Sequence, residues 1–84
     1  MPYVKPEIKS HFHELFNWAI EIENPGELNF LFTGILNTYI REKGLSYQTI
    51  NDIMGALESA KLEFYRRIAV PYEDSKIAEN GDVY

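Results

Sequence analysis

An all-α fold is predicted for this chain, and three observations predict it. Apolar residues recur at helical spacing over three long stretches. Three punctuation points stand out, "NPGE" at 24–27, "KGLS" at 43–46 and "VPYE" at 70–73. No alternating run is long enough for a strand. The expected architecture is a small single domain, residues 1–84, of three helices near 7–22, 25–43 and 47–69. A C-terminal tail, 71–84, docks on them, and the whole is expected to be oligomeric.

The first helix follows Pro6, a residue suited to the first helical position. Ile8, Phe12, Leu15, Phe16, Ala19 and Ile22 recur on one face, with Trp18 and Ile20 beside it; the first turn is open to an irregular start. The second helix has a sharper start. Asn24 caps, Pro25 follows, and Glu27 completes a capping-box arrangement. Leu28, Leu31, Phe32, Ile35, Leu36, Tyr39 and Ile40 form a wide apolar face. Arg41 and Lys43 suit the negative end of the helix dipole, and Gly44 is the expected terminator.

Ser46 is the expected cap of the third helix, whose face carries Ile50, Ile53, Met54, Leu57, Ala60, Phe64 and Ile68. Gly55, Ala56, Ser59 and Ala60 place small residues four apart, twice. Glycine inside a helix costs about 1 kcal/mol against alanine, so Gly55 points to a backbone passing close by. Pro71 is expected to end this helix, since proline lacks an N–H and constrains its predecessor. Glu73 to Glu79 can add a short helical turn, stopped by "NG" at 80–81.

Composition narrows the function. The chain has 84 residues, no cysteine and a formal net charge of −5. A core of this size supplies only about 3–5 kcal/mol of net stability without reinforcement, and no disulfide provides it. The charge is uneven: residues 1–27 and 72–84 each carry −3, and residues 28–71 carry +1. Acidic ends argue against general nucleic-acid binding, which neutralises phosphates with Lys and Arg. No window approaches a membrane span, and "MPYVKPEIKS" lacks the apolar stretch of a signal peptide. A cytoplasmic location is the expectation.

Catalytic and metal chemistry find little to stand on. His13 and Glu14 begin a zinc-type pattern, but Asn17 breaks it, and His11 and His13 point to different sides of a helix. No serine has a base at a readable spacing, and no glycine-rich phosphate loop is present. No enzyme activity, metal or cofactor is expected.

The candidate site is the cluster around the end of the third helix: Tyr65, Arg66, Arg67, Tyr72 and the terminal Tyr84. Guanidinium groups take carboxylate or phosphate in bidentate fashion and stack on aromatic rings. Two readings stay open. The arginines hold an anionic ligand while tyrosines stack on it, or they pair with Glu73, Asp74 or Asp82 of the acidic tail. Twelve aromatic residues on three wide apolar faces are more than three helices of one chain easily cover. Large exposed apolar patches mark interfaces, so a homo-oligomer is expected, with Gly55, Ala56, Ser59 and Ala60 at a close helix crossing.

The strings "GLSYQTINDIMGALESAKLEFYRR" at 44–67 and "PYEDSKIAENGDVY" at 71–84, with "MPYVKP" and "GELNF" at 26–30, resemble a family of short, largely uncharacterised proteins of tailed phages, prophages and some prokaryotic genomes. The resemblance implies a phage-type setting and transfers no catalytic residues. In that setting it suggests a binding protein that meets one host component or sequesters an anionic, nucleotide-like ligand. The alternative is a structural or assembly adaptor whose aromatic, acidic tail docks on a neighbouring subunit.

Overall fold

The computed structural model of the protein describes residues 3–84; Met1 and Pro2 of the leading "MPYVKP" lie outside them. The described residues are helical throughout their ordered elements and contain no strand. The chain divides into two units, residues 3–53 and 54–84.

In the first unit the expected opening helix is broken into two, α1 (Pro6–His11) and α2 (His13–Ala19). Phe12 sits between them at φ −95°, ψ −1°, in the sparsely allowed bridge region. Its N–H reaches the Lys9 carbonyl at 3.1 Å, and its own carbonyl accepts from Leu15 at 3.1 Å. Both are tight three-residue bonds, as at helix joints. The physical reason lies in Ser10, His11, Phe12 and His13, all weaker helix formers than the straight-chain residues. Three further bonds of this kind, from Ile20, Glu21 and Ile22, close α2.

Helix α3 (Pro25–Lys43) is fixed at both ends. The Glu27 N–H donates to Asn24 Oδ1 at 2.9 Å, and Glu27 Oε1 accepts from the Glu23 N–H at 3.0 Å. The first bond satisfies one of the N–H groups that a helix start leaves without a partner, and the second ties down the residue before the cap. Gly44 terminates it at φ 87°, a left-handed value that favours glycine. Along its face, Leu28, Phe32, Ile35 and Tyr39 follow a four-three-four spacing, which is the seam spacing of a coiled coil.

Helix α4 (Tyr47–Phe64) starts in the first unit and continues in the second. Ser46 Oγ accepts the Thr49 N–H at 3.1 Å, and Thr49 Oγ1 accepts the Ser46 N–H at 3.0 Å. The Thr49 hydroxyl then donates to the Gly44 carbonyl at 2.8 Å. Thr49 is the one buried polar residue among the described residues, and its burial requires these bonds.

The second unit differs from expectation at Pro71. The helix does not stop there. Tyr65–Ala69 form a π-helical turn, and α5 (Val70–Asn80) follows directly with Pro71 in its first turn. The Val70 N–H donates to the Tyr65 carbonyl, five residues back. In an unbroken α-helix the Pro71 ring would strike the Arg67 carbonyl and deny it an N–H. The wider turn absorbs one extra residue just before the proline and relieves that clash. The expected docked tail is therefore largely a helix, ended by Gly81 at φ 87°.

No apolar side chain among the described residues is buried. Leu15, Ala19, Ile22, Leu31, Leu36, Ile40 and Ile53 in the first unit are half-buried, as are Ala69 and Val70 in the second. Neither unit closes a hydrophobic core of its own.

Candidate interaction site

The π-helical turn brings the expected residues together by sequence continuity. Tyr65, Arg66 and Arg67 occupy consecutive positions in it and all are exposed. The arginines do not reach the tail. Arg66 Nη2 donates to Glu63 Oε1 at 3.2 Å, with Glu63 Oε2 at 3.5 Å. Arg67 Nη1 lies 3.9 Å from Glu63 Oε1. Both pairs follow the three- and four-residue spacing of helix neighbours. The internal partner is thus Glu63, one turn earlier on the same helix, and that spacing was visible in "EFYRR".

One carboxylate shared by two guanidinium groups leaves the turn with a net positive charge. The arginine side chains are 62% and 68% exposed, so the geometry leaves donors open to a carboxylate or phosphate. On α5 the acids face the converse situation. Glu73 and Asp74 have no ion-pair partner among the described residues, while Lys76 holds Glu79 at 3.3 Å. Lys76 also lies 5.4 Å from the Tyr72 ring centroid, within cation–π range.

Tyr72 sits in the first turns of α5, and its carbonyl accepts the Ser75 hydroxyl at 2.7 Å. Tyr84 lies beyond the end of α5, fully exposed, and its N–H donates to Asp82 Oδ1 at 3.1 Å. Arg41 and Lys43 belong to the last turn of α3 in the first unit. Gly55 has open space where a Cβ would stand; Ala56 and Ala60 are exposed and Ser59 is half-buried.

Apolar side chains surround this basic turn in order. In the second unit Leu57, Ala60, Phe64, Ile68 and Tyr72 are all exposed. Their spacing is three, four, four and four. In a plain α-helix, Tyr72 would sit about 80° around from Phe64. The extra residue held in the π-helical turn returns it to within about 20°. The seam of α4 therefore continues into α5.

His11 and His13 flank the break at Phe12, and each lies near a phenylalanine: His11–Phe12 at 5.5 Å and His13–Phe16 at 6.1 Å between ring centroids. Among the described residues no helix is long and apolar enough to cross a membrane.

No curated protein and no solved structure matches the chain. A family model does, over residues 1–83. The chain belongs to the family described as a domain of unknown function, DUF6899.

Proposed function

We propose that this protein is a small, non-catalytic helical binding protein that works as a homo-oligomer. In a phage-type setting, it acts as an adaptor toward one host component. The observation that carries the reading is the absence of any buried apolar side chain among the described residues, alongside two apolar seams of coiled-coil spacing. A chain of this length gains net stability by covering such seams with another surface. Sedimentation velocity on the purified protein tests it. The expected result is a discrete oligomer at micromolar concentration, and a host-lysate pull-down with that oligomer then identifies its target. A helical, cooperatively folding monomer at the same concentration would contradict the reading.

One observation favours a second reading, capture of an anionic, nucleotide-like ligand. Arg66 and Arg67 share a single carboxylate beside the exposed Tyr65. A ligand that binds only the folded state raises its melting temperature. A thermal-shift screen with nucleotides, cyclic dinucleotides and phosphate, on wild type beside Arg66→Ala/Arg67→Ala, separates the two. A shift lost in the variant supports ligand capture; no shift in wild type returns the arginines to assembly.

A further inference from the structure

We infer that Pro71 is a positioning residue: it holds Tyr65–Ala69 in the π-helical form and so fixes the rotational phase of α5 against α4. The consequence for assembly rests on the proposed self-association; the lock itself does not. Three observations lead there.

The first is that nothing else at the turn excludes a plain α-helix. Irregular turns in helices trace to proline, to glycine or serine pairs, or to a group wedged into the bond ladder. The run Phe64–Val70 holds no glycine or serine. Phe64, Tyr65, Arg66, Arg67 and Ile68 are exposed, and Ala69 and Val70 are half-buried, so among the described residues no tightly packed neighbour imposes the shape. The ion pairs of Glu63 with Arg66 and Arg67 span three and four positions, which a plain α-helix suits equally. Pro71 follows directly on Val70, whose N–H donates to the Tyr65 carbonyl. It is the cause that is left.

The second is what the turn does to the face. One residue is about 100° of helix rotation. With the extra residue absorbed, Tyr72, Lys76 and Glu79 fall within about 40° of the line through Phe64. In a plain α-helix that line would carry Pro71, Ser75 and Ala78 instead. The turn thus exchanges a line of small side chains for one that begins with a tyrosine ring, 61% exposed.

The third is how that line ends. Lys76 Nζ lies 5.4 Å from the Tyr72 ring centroid and 3.3 Å from Glu79 Oε2. The apolar stripe from Leu57 therefore closes on an aromatic ring backed by a charged pair. A slip of the turn to α geometry would carry all three off the stripe together.

Trans-hydrogen-bond couplings in the NMR spectrum of the labelled protein name the carbonyl that each N–H bonds. In wild type the Val70 N–H is expected to couple to the Tyr65 carbonyl carbon. In Pro71→Ala the coupling is expected to move to Arg66, with helicity kept; in Glu63→Gln it stays on Tyr65. A coupling that stays on Tyr65 in Pro71→Ala would overturn the inference. Sedimentation reads the phase a second way. Pro71→Ala turns Tyr72 off the stripe and is expected to weaken association by roughly tenfold or more, as for a tyrosine lost from an interface. Deleting Ala69 as well sets Tyr72 back on the stripe of an unbroken α-helix, and is expected to recover most of the loss. Unchanged association in Pro71→Ala once the coupling has moved, or a double variant that stays weak with helicity retained, would overturn the link from phase to assembly. A wild-type chain that stays monomeric contradicts the proposed function itself, while the coupling still decides the lock.

Discussion

Thr49 fastens the start of α4 to the end of α3. Its hydroxyl donates to the Gly44 carbonyl at 2.8 Å and accepts the Ser46 N–H at 3.0 Å. Thr49→Val keeps the shape and removes both bonds; it is expected to cost about 1–2 kcal/mol in urea unfolding. Gly44→Ala forces a side chain into φ 87° and is expected to cost about 1–2 kcal/mol as well. Gly55→Ala should behave in the opposite way. Nothing lies within 4 Å of its missing Cβ, and it falls off the Leu57–Phe64 seam. A gain of about 0.5–1 kcal/mol is expected, with association unchanged. A loss instead would place a neighbouring backbone against it. At this scale much was legible in the sequence. Asn24, Glu27, Ser46 and Gly44 announce themselves because capping uses few residue types at fixed offsets. Thr49 was less legible, since threonine in the Glu/Gln place of a capping box is not the usual signature. Glu63 as partner of both arginines was readable from its spacing, but the acids of the tail competed for that role.

Among the elements, the region of Pro71 shows how local rules combine. Proline and its predecessor argue for a helix end, and that argument is sound for an α-helix. A π-helical turn changes the premise by inserting one residue ahead of the proline, and hydropathy patterns do not signal it directly. The trace it leaves is the step of four and four from Phe64 through Ile68 to Tyr72, legible once the turn is known. Deleting one residue within Tyr65–Ala69 should restore a plain α-helical count. Tyr72 would then stand seven positions after Phe64 and stay within about 20° of it, but Pro71 would again strike a carbonyl. The expected outcome is a bent helix, lower helicity across Val70–Asn80 by hydrogen exchange, and weaker association. The break at Phe12 has a simpler origin. Four weak helix formers in a row let a stretch with good amphipathic spacing split into α1 and α2, because periodicity reports a face, not continuity.

For the whole molecule, the decisive fact is the balance between apolar surface and cover. The helices of one chain present coiled-coil spacings on α3 and along α4 into α5, yet bury no apolar side chain among the described residues. Burying such surface contributes about 25 cal/mol per Å², so a partner surface is the natural source of stability for a chain without disulfides. The helical class and the apolar faces could be read from the sequence, although three helices were expected where the described residues form five; which surface covers the faces could not, because hydrophobic spacing is the same whether the partner is the same chain or another. The most direct test is thermal unfolding followed by circular dichroism over about a hundredfold range of protein concentration, since oligomerisation makes the melting temperature depend on protomer concentration. The account predicts a midpoint that rises by several degrees from the dilute to the concentrated sample. A sharp transition at the same temperature throughout would contradict it and show that one chain is stable alone.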